Sequence, residues 1–160
     1  MSFQKCIRVL KSAIYVIFIY AGSANAFCFN EAGALYQIDP VLLRSLAIRE
    51  SSLNPKAINS NKNKEGKVTS YDYGLMQINS THISELKSLG VIKSKDDLLD
   101  KPCLNVQVGA WILAKHLQKC GVNWDCLGSY NAGFSDKNAL VRMFYAKKIY
   151  AIYQKELRGG

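Results

Sequence analysis

Four cysteines constrain this chain more than any other feature. Lys5, Arg8 and Lys11 precede an apolar run from Ala13 to Ala21, followed by Ala24-Asn25-Ala26. A positive start, a short apolar core and an A-x-A site describe a secretory signal peptide over residues 1–26. The uncharged stretch from Ser12 to Ala26 is short of the roughly 20 residues that a spanning helix needs. Removing the leader discards Cys6 and leaves Cys28, Cys103, Cys120 and Cys126. An even number in an exported domain points to two disulfides, and four cysteines allow three pairings. Cys120 and Cys126 enclose only Gly121-Val122-Asn123-Trp124-Asp125, a short loop, which leaves Cys28 to join Cys103. Zinc is a poor alternative, because His82 and His116, the only histidines, sit in neither HExxH nor CxxC spacing. No metal and no cofactor is implied.

Residues 27–160 are enough for one domain, and no linker or repeat divides them. The full chain carries 21 basic and 12 acidic residues, a formal charge of +9 that falls to +6 without Lys5, Arg8 and Lys11. Such a balance favours an anionic partner. Export makes nucleic acid an unsuitable one and the anionic cell wall a suitable one. After the leader, no segment is apolar enough to support a stable membrane span.

Most local signals are helical. Asp39-Pro40 reads as an N-cap with proline at the first helical position, opening a helix that Asn54-Pro55 stops near Ser52. On it Leu42, Leu46 and Glu50 recur at i, i+4 and i+8, with Leu43 and Ala47 alongside, so a carboxylate ends an apolar stripe. Residues 59–70, with Lys62, Lys64 and Lys67 around Gly66, read as a loop or short hairpin. Val68 to Tyr73 is the best strand. Helices follow over about 81–89, ending at Gly90, and from Pro102 with the stripe Val106, Ala110, Leu113, Ala114 and Leu117, where Gly109 permits close packing. A short helix spans 124–132. A last one, opened by Asp136 or Asn138, is expected to bury Leu140, Val141, Phe144, Ile149, Ile152 and Tyr153. The fold class is α+β, mostly α.

Four segments carry the chemistry: Arg49-Glu50-Ser51-Ser52, Gly74-Leu75-Met76-Gln77-Ile78-Asn79, Ser129-Tyr130-Asn131-Ala132-Gly133 and Tyr145-Ala146-Lys147-Lys148-Ile149. In this order and spacing the chain resembles the soluble lytic transglycosylase family of the lysozyme superfamily. It looks most like the small exported members that accompany type III secretion, type IV secretion and conjugation machines. The resemblance runs from Cys28 to Tyr153. It implies a lysozyme-like domain with a small β-hairpin region, acting as a monomer in the periplasm on peptidoglycan glycan strands, with a secretion or conjugation apparatus component as partner.

Cleaving a β-1,4 glycosidic bond needs an acid that is still protonated near neutral pH. An ordinary glutamate, with a pKa of about 4.3, is not. Desolvation at the end of an apolar stripe raises it, which suits Glu50 to the role the resemblance gives it, general acid and then general base. Asp72, two residues before Gly74, is the second candidate catalytic carboxylate; its bland role is to cap a turn. Transglycosylases of this superfamily commonly manage without one, using the N-acetyl oxygen of the substrate and closing a 1,6-anhydro ring. The candidate substrate-binding residues are Ser51, Met76, Gln77, Asn79, Tyr130, Asn131 and Tyr145. Of these, Ser51 is expected to order backbone beside Glu50, Met76 to line the groove or fill the core, and Gln77 and Asn79 to offer amides to sugar. The resemblance makes Tyr130 and Asn131 a substrate-contacting pair and gives Tyr145 a hydroxyl that reaches Glu50. Two rival functions share the scaffold: a hydrolytic muramidase using Glu50 with Asp72, and a non-catalytic peptidoglycan-binding assembly factor.

Overall fold

The computed structural model describes residues 27–159. The expected leader over 1–26, with Cys6, and Gly160 at the other end lie outside the described residues. Helix α1 (Phe29–Tyr36) leads into α2 (Pro40–Ser51), where the Asp39 carboxylate accepts a hydrogen bond from the Val41 N–H at 2.8 Å and Pro40 occupies the first turn. The helix stops one residue short of the expected Ser52, because Ser52 and Leu53 both turn left-handed at φ 54° and 62°. Their N–H groups close on the Ile48 and Ala47 carbonyls, which satisfies the helix end and leaves Glu50 in its last turn.

The lysine-rich stretch is a hairpin. Strands β1 (Ile58–Lys62), β2 (Val68–Tyr73) and β3 (Ile78–Asn79) form an antiparallel sheet in that order, with a bulge at Asn61/Lys62. Asp72 pairs with Asn59 on one side and Asn79 on the other. A 3-10 turn over Ser80–His82 enters α3 (Ile83–Ser88), and the short α4 (Asp97–Asp100) precedes α5 (Pro102–Cys120).

Helix α5 is the central post. Val106, Ala110 and Leu113 are fully buried, packed with Leu43, Leu46, Leu75 and Met76 in the main core. Gly109 lets Met76 lie on the helix, since a Cβ there would stand 2.6 Å from the Met76 Cβ. Helices α6 (Trp124–Ala132) and α7 (Ala139–Gly159) complete the domain, with α7 packed on α6 and α2. Disulfides join Cys28 to Cys103, 75 residues apart, and Cys120 to Cys126.

The inner face of α7 is a correction. Tyr145, Ala146 and Ile149 are buried there, whereas Leu140, Val141 and Phe144 are 66%, 49% and 56% exposed, and Ile152 and Tyr153 are only half-buried. The cause lies in α6. A Cβ on Gly128 would stand 2.3 Å from the Arg142 carbonyl oxygen, so the two backbones touch at that point. Contact at residue 142 turns 145, 146 and 149 inward at i+3, i+4 and i+7, whatever their neighbours' hydropathy.

Candidate active site

A cleft of about 320 Å³ opens between the end of α2, the sheet, α5 and α6, lined by Glu50, Asn61, Ser70, Asp72, Gln77, Ile78, Asn79, His82, Ile112, Tyr130 and Asn131. The two candidate carboxylates therefore share one cavity, brought to it by unlike elements.

Glu50 arrives on a helix whose inner stripe, Leu43, Leu46 and Ala47, is fully buried. Burial pushes its carboxyl above the ordinary value of 4.5, and the negative charge of Asp72 pushes the same way. The hydrogen bond from Tyr145 and the Arg49 charge oppose this but do not cancel it. The Tyr145 hydroxyl donates to Glu50 Oε1 from the buried face of α7. Lys56, a conceivable counter-ion, is instead paired with Asp100 at 2.7 Å.

Asp72 arrives on β2, and both its oxygens are held. Asn61 Nδ2 donates to Oδ2 and Asn79 Nδ2 to Oδ1, each at 2.7 Å, and both amides also reach Ser70 Oγ at 3.0 Å. Strand alternation explains the arrangement. Asn59 and Asn61 on β1, Ser70 and Asp72 on β2, and Asn79 on β3 share one face of the sheet. Amides donating to a carboxylate are charge-assisted bonds, among the stronger ones available to a protein. Asp72 is thus a fixed acceptor facing the cleft.

The remaining expected residues divide between cleft wall and scaffold. Tyr130 and Asn131 reach the cleft from the end of α6, and the Tyr130 hydroxyl donates to the Met76 carbonyl at 2.9 Å. Burial, with the charges of Glu50 and Asp72, holds the Tyr130 phenol well above 10, so it stays a neutral donor. Gln77 touches the cleft at φ 50°, but its amide nitrogen donates to the Gly74 carbonyl at 2.9 Å and its oxygen accepts from Asn59 at 2.7 Å. Asn79 likewise has its amide nitrogen on Asp72 and its oxygen on the Thr81 N–H. Ser51 Oγ lies 2.9 Å from the Leu75 carbonyl, tying the α2 end to the loop after β2. Met76 is fully buried in the core beneath the cleft rather than on its wall.

Asn105, not singled out from the sequence, holds that loop. It is fully buried on α5, donates to the Tyr73 and Leu98 carbonyls at 2.8 and 3.0 Å, and accepts the Met76 N–H at 2.8 Å. Gly74, at φ 75°, leaves it the space: a Cβ there would stand 2.3 Å from the Asn105 amide nitrogen. Asn61, Ser70, His82 and Ile112 were also missed as cleft residues. For Asn61 and Ser70 a signal exists, the period-two pattern Asn59-x-Asn61 and Ser70-x-Asp72 once the hairpin is accepted.

The family model described as "Transglycosylase SLT domain" matches residues 27–153. The chain is 50% identical over 132 residues to a "Peptidoglycan-binding-like protein" of Escherichia coli O157:H7, covering 82% of this chain and 79% of that one. It is 40% identical over 144 residues to "Invasion protein IagB" of Salmonella typhimurium (strain SL1344), covering 88% and 86%.

Proposed function

This chain belongs to the transglycosylase SLT domain family, and on that premise we propose that it cleaves the β-1,4 bond between N-acetylmuramic acid and N-acetylglucosamine in peptidoglycan, leaving 1,6-anhydromuramoyl ends. The observation that carries this reading is the sharing of one cleft by a desolvated Glu50 and an amide-held Asp72. Glu50, protonated, gives its proton to the leaving glycosidic oxygen as the C1–O bond breaks. The N-acetyl oxygen attacks C1 and closes an oxazolinium ring, while Asp72 across the cleft supports the positive charge. Glu50, now a carboxylate, takes the proton of the muramic C6 hydroxyl as that oxygen displaces the N-acetyl group. The anhydro ring forms without consuming water, and Glu50 regains its proton. Tyr145 keeps Glu50 oriented through both steps, and Tyr130 and Asn131 contact the sugars.

Residues 1–26 act in this reading as a leader removed on export, and residues 27–160 work in the periplasm. Local wall opening for a secretion or conjugation apparatus fits the likeness to a protein named for invasion. Mass analysis of muropeptides released from purified wall tests the reaction. Anhydro ends, one water lighter than reducing ends, are expected; reducing ends alone would replace this reading with hydrolysis, the second reading, which the presence of Asp72 in the cleft favours. No released fragments from a folded protein would leave the binding factor.

A further inference from the structure

The cleft does not end at Ile112. A trough of about 250 Å³ shares His82 and Ile112 with it and continues between Lys115, His116, Lys119 and Phe134. On α5 the residues Ile112, Lys115, His116 and Lys119 follow at i, i+3, i+4 and i+7, so one helix face runs from the cleft into the trough. That face extends roughly 10 Å past Ile112, at 1.5 Å per helical residue, which is the length of about three extended peptide residues.

The lining offers charge rather than a stacking platform. Lys119 Nζ lies over the Phe134 ring at 4.1 Å and Lys115 Nζ over the Trp111 ring at 4.2 Å, so each ring face is covered by an ammonium group. His116 packs against the same Phe134, with ring centroids 4.7 Å apart and planes tilted by 51°, and its Nδ1 lies 2.8 Å from Ser129 Oγ. Burial lowers the pKa of both imidazoles, with Lys115 adding to this at each and Glu85 opposing it at His82. Glu85 answers Lys115 at 2.8 Å. Among the described residues, no carboxylate pairs with Lys119.

We propose that this trough binds the carboxylate-bearing peptide carried by the muramic acid residues of the glycan strand, so that the protein reads the peptide stem as well as the sugar. The proposal rests on the peptidoglycan reading above. A glycan chain stripped of peptide keeps one lactyl carboxylate on each muramic acid, fixed beside the sugar ring, whereas the peptide carries its carboxylates beyond the ring and along the roughly 10 Å face that holds the two ammonium groups. A peptide acid gains a direct partner in Lys119 and a second in Lys115 when Glu85 yields it.

The test measures dissociation constants by calorimetry, with the exported protein carrying Glu50→Gln so that no strand is cut. The probes are a tetrasaccharide of alternating N-acetylglucosamine and N-acetylmuramic acid bearing acidic tripeptides, and the same tetrasaccharide stripped of peptide by an amidase. Adding Lys119→Ala is expected to weaken binding of the stemmed strand by about 2- to 5-fold, the scale of an exposed charge contact, and to leave the stripped strand unchanged. Glu85→Gln is expected to act in the opposite direction, tightening the stemmed strand by freeing Lys115. Lys119→Arg should keep the preference. Equal weakening of both strands would overturn the proposal in favour of a sugar subsite, and no change on either would return Lys119 to a solvated surface. Failure of the parent protein to bind either strand is a separate result, and it would overturn the peptidoglycan reading itself.

Discussion

Glu50 and Asp72 are the same functional group in two unlike settings. Glu50 sits at the end of an apolar helix stripe, meets a single neutral donor in Tyr145, and is pushed toward its protonated form by burial. Asp72 sits on a polar sheet face with two amides on its two oxygens. Burial outweighs the Arg49 charge and the Tyr145 hydrogen bond at Glu50, while two amide donors hold the Asp72 oxygens in place. The fold separates these settings by drawing one residue from a helix and the other from a strand. The difference lies in the surroundings and not in the carboxyl group.

The contrast breaks most completely when Glu50 loses its proton. Glu50→Gln keeps shape and hydrogen-bonding capacity, and turnover of wall material should fall by about 10²–10⁴-fold, the usual cost of losing general acid–base catalysis. A folded variant with near-parental turnover would remove Glu50 from the mechanism. Asp72→Asn removes the anion while leaving the sheet paired. A fall in kcat of about 10²–10³-fold is expected, as for loss of preorganised electrostatic support, with KM little changed and anhydro ends retained. Unchanged kinetics would make Asp72 a structural partner of Asn61 and Asn79.

Finer tests sharpen the comparison. Asn61→Ala opens the cage on one side and should lower kcat by about 10-fold, near the scale of one hydrogen bond to a charged group, without moving the alkaline limb of the pH profile. Tyr145→Phe acts on the other carboxylate. Its hydrogen bond lowers the Glu50 pKa, so its loss raises that pKa further and keeps the acid protonated to higher pH. The alkaline limb of kcat should therefore move upward even as the maximum falls; a downward movement would contradict the assignment. The smallest effect is on stability. Glu50 binds its proton more tightly folded than unfolded, so its stabilising share is full below about 4.5 and is lost as pH rises through the raised folded value. Glu50→Gln escapes that loss. Its melting temperature should exceed the parent's at pH 8 and converge with it near pH 4, as followed by calorimetry.

Much of this was legible before any coordinates. The Asp39-Pro40 start, the α2 stripe and the α5 stripe follow from local rules, since capping and 3.6-residue periodicity act within a few residues. The position of Glu50 in the cleft follows from the same stripe. What was not legible depends on contacts distant in sequence. The inner face of α7 is set by Gly128 touching the Arg142 backbone, which hydropathy along α7 does not encode. Asn105 reads as an unremarkable polar residue in a helix, yet it donates to the Tyr73 and Leu98 carbonyls and accepts from the Met76 N–H. Gln77 and Asn79 were expected to face sugar. Both line the cleft, and their amides also bond within the hairpin, to Gly74 and Asn59 and to Asp72, partners set by a left-handed turn and by strand pairing.

The bridge between Cys28 and Cys103 has a topological consequence. It closes a covalent ring that contains the whole of α2 and the sheet, and so both Glu50 and Asp72. Tyr130 and Tyr145 lie outside that ring and reach it through packing and through their hydroxyl hydrogen bonds to the Met76 carbonyl and Glu50. The candidate site is therefore a joint between a half closed by the disulfide and a half outside it. Detachment of α6 and α7 would strip Glu50 of the Tyr145 hydroxyl while leaving both carboxylates within the ring.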